Sequence, residues 1–166
     1  MAIKKANNIK LRSIGLPHKD IRSFLLADES LVMPTNANPL VDGEWVAFSG
    51  VANTTYGKLV RAEDTGIGNS FVGQPYLVVA GAYRTDTMNS KKVDVYFGES
   101  GLEFDTLLFE GDPKCNDPLT VGSITVDGAA KTGLKAGVVG TDKIAGFVVA
   151  DKSACSGYLR VRLSVA

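Results

Sequence analysis

The stretch from Asp117 to Leu134, "DPLTVGSITVDGAAKTGL", decides the fold class. Two apolar-rich segments flank the pair Asp127-Gly128, and an Asp-Gly pair adopts positive φ angles at small cost, as a tight hairpin requires. No residue in this stretch resembles a catalytic nucleophile or a metal ligand. The sequence therefore predicts a β-hairpin with a structural rather than a chemical role.

The chain from Asp42 onward shows the same succession of short strand-like segments and turns. "YLVVAGAY" is a nearly continuous apolar run, which is typical of a central strand, whereas "YLRVRLSVA" alternates as a half-buried strand does. Eighteen glycines in 166 residues supply the turns that short strands need. We expect an all-β protein, with a small β-barrel or sandwich of about eight or nine short strands in residues 42–166.

Residues 1–41 differ from the rest because they lack a sustained hydrophobic period and contain three prolines. We interpret them as an extended N-terminal arm. A short helix from about Lys19 to Leu26 is one option for part of it, because Ile21, Phe24 and Leu25 would share a helical face. The apolar residues of the arm need a partner surface, either on the same domain or on a neighbouring molecule.

The formal net charge is zero, so no overall field favours nucleic acid. The charges are nevertheless segregated: Met1 to Arg22 holds six bases and one acid, and Asp94 to Asp127 holds eight acids and one base. Solvated faces are the ordinary explanation of such runs. A molecule with a basic end and an acidic belt is also suited to contacts with copies of itself.

Candidate chemical sites in the sequence are weak. His18 is the only histidine, and an irregular arm is a poor place for a general base. The loop "GIGNSFVG" departs from nucleotide-binding glycine loops, because it does not join a strand to a helix. Cys115, Cys155 and His18 offer too few ligands for zinc. Free thiols are favoured for the two cysteines, and a disulfide between them is the alternative.

The acidic residues offer two further possibilities. Glu103 with Asp105, or Glu110 with Asp112, would be the carboxylate pair of a glycosidase, but acidic outer faces of strands are common and the chain has one tryptophan. The loop "GDPKCNDP" contains several possible calcium ligands and lacks the ligand spacing of an EF-hand. We therefore predict no catalytic residue, no cofactor and no metal.

The N-terminus lacks the apolar run of a secretory signal, and no stretch approaches the length of a membrane span. We expect a soluble protein made in a cytoplasm, with no membrane partner. Nucleic-acid binding is not favoured either, because no aromatic residues are interleaved among the bases of the arm.

Three segments, "NPLVDGEWVAF", "FEGDPKCNDPLTV" and "GVVGTDKIAGFVVADKSACSGYLRVRL", together resemble bacteriophage capsid decoration (cement) proteins. The resemblance extends patchily from Asn38 to Leu163. The chain departs from that pattern in its longer basic N-terminus and in the "KCN" inserted between the two Asp-Pro pairs. The resemblance implies a virion protein without a catalytic site, which binds the outer surface of an assembled shell and stabilises contacts between capsomers.

The partners implied by the resemblance are the major capsid protein of the shell and other copies of the chain, as a homotrimer. The arm is then the predicted contact region, with apolar anchors and steering charges at Lys4, Lys5, Ile9, Lys10, Leu11, Arg12, Ile14, Leu16, Ile21, Phe24 and Leu25. The alternative is that the arm folds back onto its own domain.

Other functions remain open at this point. The chain is also compatible with another virion component, such as a head-fibre base, a tail-tube protein or a minor capsid protein. A carbohydrate-binding or adhesion β-module and a small hydrolase are further alternatives.

Overall fold

The computed structural model describes residues 8–12, 21–49, 58–62, 77–81, 90–96 and 102–164. Within these ranges the chain forms eleven β-strands and one 3-10 helix, Glu29–Val32. The strands are β1 (Ile9–Leu11), β2 (Ile21–Leu25), β3 (Trp45–Phe48), β4 (Leu59–Arg61), β5 (Leu77–Gly81), β6 (Lys92–Tyr96), β7 (Glu103–Thr106), β8 (Pro118–Val126), β9 (Ala129–Ala136), β10 (Ile144–Ala150) and β11 (Leu159–Leu163).

The strands form two antiparallel sheets, which confirms the all-β prediction. The six-stranded sheet has the order β1-β7-β11-β10-β8-β9, and the five-stranded sheet has the order β2-β6-β5-β3-β4. The described strands form no closed barrel, so the fold is a sandwich. Nine of the described strands, β3 to β11, lie in residues 42–166, as predicted, and β1 and β2 are two further strands in the N-terminal segment.

The predicted hairpin is the longest element of the six-stranded sheet. Strands β8 and β9 pair without interruption from Leu119–Ala136 to Val126–Ala129. Asp127 and Gly128 connect them with φ angles of 49° and 78°. Both values lie in the left-handed region that a two-residue hairpin turn of this hand requires.

A hydrophobic core fills the space between the two sheets. Trp45, Ala47 and Val78 of the five-stranded sheet pack with Phe104 and Val161 of the six-stranded sheet, and all five are at most 1% exposed. The ring centroids of Trp45 and Phe104 lie 5.8 Å apart. Burial of these alternating residues provides the main favourable contribution to the sandwich.

A second core lies on the other face of the five-stranded sheet. Val46 and Val79 point to this side, where Leu26, Val32 and Leu40 cover them. The central strands of the five-stranded sheet are therefore buried on both faces, which explains why β5 is an apolar run rather than an alternating one. The covering residues belong to the segment 26–41, which includes the 3-10 helix.

The described parts of the N-terminal segment lie on the sheets. Strand β1 pairs with β7, and strand β2 pairs with β6 along its whole length. The short helix considered as one option for Lys19 to Leu26 does not form in its described part, because Ile21–Leu25 is a strand. Pairing with a distant strand outweighs the weak helical spacing of three apolar residues. The division of the chain at residue 41 stays a prediction.

Candidate functional site

A buried carboxylate joins the two sheets. Glu44 precedes β3 and has no exposed surface. Its Oε1 accepts hydrogen bonds from Arg61 Nε at 2.9 Å and from the backbone N–H of Thr132 at 3.1 Å, and its Oε2 accepts one from the backbone N–H of Val41 at 2.8 Å. Arg61 belongs to one sheet and Thr132 to the other. Glu44 is thus a structural ion-pairing group, since its charge is neutralised and its oxygens are occupied.

The turn before Glu44 is hydrogen-bonded to Arg61 and to strand β9. Arg61 Nη2 donates to the carbonyl of Asn38 at 2.9 Å, and Asn38 Nδ2 donates to the carbonyl of Ala130 at 2.7 Å. Lys131 Nζ donates to the carbonyl of Pro39. The segment "NPLVDGE" therefore fixes the entry to β3 against the β8–β9 hairpin.

The outer face of the six-stranded sheet carries a ladder of ion pairs. Asp105 is 1% exposed, and its carboxylate accepts from Arg160 Nε and from Arg12 Nε, each at 2.8 Å. Beside it, Arg162 Nε donates to Glu103 Oε1 at 2.9 Å. Each acid stands opposite its arginine in the register of β7 and β11. The ladder therefore reinforces this pairing and attaches Arg12, which follows β1, to the neighbouring strand.

The ladder determines the protonation of Asp105. Burial raises the pKa of its carboxyl, but the hydrogen bonds and positive charges of Arg160 and Arg12 outweigh burial, so the pKa lies below its ordinary value. A catalytic general acid needs the opposite shift. Asp105 is therefore held as the charged partner of two arginines.

The acidic loop between β7 and β8 is ordered by lysines. Lys114 Nζ lies 2.8 Å from Asp112 Oδ2, and the backbone N–H of Lys114 donates to Asp117 Oδ2 at 2.7 Å. The hydrogen bond from Lys114 lowers the pKa of Asp112.

No group of side chains suited to a metal ion occurs within the residues that the structure describes. Cys115 and Cys155 are both free thiols.

The predicted contact residues are divided between the sheets. Ile9 packs against the core between the sheets, and Lys10 lies over the ring of Tyr158 with its Nζ 4.2 Å from the ring centroid. Leu11 is the last residue of β1, and Arg12 belongs to the ladder. Thus the structure does not place these residues together on a single projecting arm. Four members of the predicted set lie outside the described residues: Lys4, Lys5, Ile14 and Leu16.

Three further predicted residues lie on β2, which is one of the two edge strands of the five-stranded sheet among the described strands. Ile21 and Leu25 are 39% and 41% exposed. Phe24 points to the opposite face and packs edge-on against Phe48, with ring centroids 4.9 Å apart. The strand thus has one inward aromatic anchor and two outward apolar side chains. His18 and "GIGNSFVG" lie outside the described residues.

A pocket of about 460 Å³ opens on the outer face of the six-stranded sheet. The acidic loop forms one wall, because Asn116 N donates to the carbonyl of Val148 at 2.8 Å and Val148 N donates to that of Asp117 at 3.0 Å. Phe147 and Val149 of β10 line the pocket, and residues of β11 form the other wall. Segments far apart in the chain thus combine to form one concave surface.

The sequence analysis did not predict the hydrogen-bond network of Glu44, Arg61 and Thr132, and it did not identify the pocket. A charged residue directly before a strand that is buried on both faces was the available signal for Glu44. The partners of that carboxylate lie 17 and 88 residues away. No local pattern indicates such pairings.

Comparison with protein-family models, with curated proteins and with solved structures gave no match. Within the described residues, no helix is both long enough and apolar enough to cross a membrane.

Proposed function

We propose that this protein is a virion component, a capsid decoration protein that binds the outer surface of an assembled phage shell and stabilises the contacts between capsomers. The three segments that resemble decoration proteins support this proposal. The major capsid protein would be its partner, and the protein would act as a homotrimer. No bond is made or broken in this role.

The exposed apolar pair on edge strand β2 carries the proposal. Ile21 and Leu25 belong to the predicted contact set, and both are exposed on a strand at the edge of the five-stranded sheet, whose central strands are buried on both faces. Two apolar side chains exposed on one strand offer a second protein an apolar surface for recognition. A rigid sheet behind such an edge reduces the entropy lost when a partner binds.

Stabilisation of a shell follows from mass action. A protein that binds neighbouring capsomers only when they are assembled shifts the equilibrium toward the assembled state. Many weakly bound copies on a symmetric lattice act together. The ion-pair ladder and the Glu44 network strengthen the sandwich, so that it can transmit load between the surfaces that it joins.

Binding to shells is the direct test of this proposal. Purified protein is mixed with expanded and unexpanded phage shells, and bound protein is measured by co-sedimentation and located by electron microscopy. We expect saturable binding to the outer surface of at least one form. Absence of binding to both forms would contradict the proposal and favour another virion component; filaments or stacked rings formed by the pure protein would indicate a tail-tube protein.

A paired variant locates the contact. Ile21→Asp combined with Leu25→Asp should weaken shell binding by about tenfold or more, because two apolar contacts are replaced by charges that must be desolvated. Thr125→Asp is the matched control, since Thr125 is exposed on the β8–β9 hairpin of the other sheet. Equal binding of both variants would remove β2 from the contact.

A further inference from the structure

The turn between β9 and β10 holds two valines out in solvent. Val138 is 60% exposed and Val139 is 69% exposed, the highest values among the large apolar residues that the structure describes as exposed. Hydrogen bonds fix this turn: Asp142 Oδ2 accepts from the backbone N–H of Val138 at 2.7 Å, and the carbonyl of Val138 accepts from the backbone N–H of Asp142 at 2.8 Å. An ordered turn can present apolar side chains to a partner with little further loss of entropy.

The pocket on the same sheet has complementary features. Phe147 is 40% exposed beside it, and Val149 and Leu163 add further apolar lining. Arg162 lies in the opposite wall with 58% of its side chain exposed, so its guanidinium remains accessible although it pairs with Glu103. A cavity of about 460 Å³ has room for more than one aliphatic side chain.

The valine turn begins close to the pocket along the six-stranded sheet. Phe147 stands opposite Pro118 in the pairing of β10 with β8, and the carbonyl of Pro118 accepts a hydrogen bond from Gly137 at 2.9 Å. Gly137 is the residue before Val138, so the turn begins two strands away from Phe147, which corresponds to about 10 Å at the usual spacing of strands. The turn therefore lies beside the pocket rather than in it.

We propose that the Val138–Val139 turn of one copy inserts into the Phe147 pocket of a second copy. Charge complementarity favours a second copy as the occupant, because Asp142 in the turn would approach Arg162 in the wall of the neighbour's pocket. A contiguous apolar patch can form an interaction surface, and Val138 and Val139 are adjacent in the turn. A contact between two different patches of the same chain can close into a ring.

This inference rests on the part of the proposed function that concerns self-association, and it is independent of binding to a shell. It assigns a surface to the contact between copies that differs from the β2 edge. The two proposals can therefore fail separately.

Disulfide trapping tests the contact directly, because Cys115 is exposed and lines the pocket. Val139→Cys is made in a Cys155→Ser background, and the purified protein is oxidised and analysed without reductant. We expect covalent oligomers in which peptide mapping joins position 139 of one copy to Cys115 of another. The matched control is Thr125→Cys in the same background, at the opposite end of the β8–β9 hairpin. A yield of oligomers no higher than in this control would overturn the proposal.

Sedimentation of the pure protein provides a second, thiol-independent test. Val138→Asp combined with Val139→Asp should weaken self-association by about tenfold or more, while Thr125→Asp should leave it unchanged. Circular dichroism checks that each variant is folded. A wild type that stays monomeric, or a double variant that associates as the wild type does, would overturn the inference whether or not the protein binds shells. Self-association that depends on the two valines, without shell binding, would support the inference and contradict only the proposed function.

Discussion

Glu44 shows how a single residue can hold two sheets together. Its carboxylate binds a guanidinium from β4 and a backbone N–H from β9, and Thr132 Oγ1 also donates to the carbonyl of Trp45 at 2.7 Å. A buried charge is costly unless it is paired and fully hydrogen-bonded. The number of partners around Glu44 meets that condition, so the network favours one alignment of the sheets over others.

Glu44→Gln should therefore destabilise the fold by about 3 kcal/mol, since Arg61 would lose its buried counter-charge. The free energy of unfolding is measured by urea denaturation with a linear extrapolation. Glu110→Gln is the matched control, because Glu110 is exposed and its substitution should change stability by less than about 0.5 kcal/mol. Equal effects of the two substitutions would show that Glu44 has no special role.

The lowered pKa of Asp105 should make the free energy of unfolding depend on pH under acidic conditions. Its pKa in the folded state lies below the ordinary value of 3.8, so the carboxylate stabilises the fold above that pH and the contribution is lost as the pH falls through the folded pKa. Asp105→Asn should cost about 2 kcal/mol at pH 7, as expected when hydrogen bonds to charged groups lose their charge.

The difference in unfolding free energy between Asp105→Asn and the wild type should become smaller as the pH is lowered below about 3.8. Urea denaturation at neutral and at acid pH gives both values. A difference that stays constant with pH would mean that the ion pairs with Arg12 and Arg160 contribute nothing.

Two of the three glycines in the β8–β9 hairpin are required for different physical reasons. Gly128 has a φ of 78° and open space around the position of a Cβ atom, so only backbone strain opposes a side chain there. A Cβ atom on Gly133 would lie 2.3 Å from Ile124 Cδ1 and 2.9 Å from the carbonyl oxygen of Leu108. Neighbouring atoms therefore leave no room for a side chain at position 133. One of them is the backbone carbonyl oxygen of Leu108, which cannot easily move.

Gly133→Ala should accordingly destabilise the protein more than Gly128→Ala does. We expect about 1 kcal/mol for position 128, from strain at positive φ, and about 2–3 kcal/mol for position 133, from overpacking. Thermal and urea unfolding of the two variants give the comparison. If Gly128→Ala proved the more damaging, the close approach of Leu108 to β9 would not constrain the hairpin.

Elements with a strong local pattern were predictable from the sequence. The Asp127-Gly128 turn, the apolar run of β5 and the alternation of β11 each appear where the sequence indicated them. Strand β2 was not predictable, because its partner β6 is remote in the chain and its own residues are compatible with a helix or a strand. The candidate site was the most difficult feature to predict from the sequence, for the same reason. The pocket combines the acidic loop with β10 and β11, and no single segment indicates it.

The described part of the N-terminal segment from Leu26 to Leu40 packs against the five-stranded sheet. Leu26, Val32 and Leu40 are 1%, 5% and 2% exposed because they cover one face of the five-stranded sheet. Without them, Val46 and Val79 would face water. The segment that was interpreted as an arm therefore contributes a layer of the fold, and the exposed residues Ile21 and Leu25 lie on the strand directly before that layer.

The fragment 42–166 should consequently fail to fold into a stable domain, although the division at residue 41 would predict that it folds alone. Removal of residues 1–41 exposes the second core, and the loss of several buried aliphatic contacts, at about 1.5–3 kcal/mol each, is comparable to the whole stability of an ordinary domain. Far-ultraviolet circular dichroism and urea denaturation give the measurement.

The fragment 21–166 is the matched control, because it retains β2 and the covering layer. It should unfold in a cooperative transition. A cooperative transition of 42–166 with a stability equal to that of 21–166 would show that residues 26–41 are not part of the folding unit.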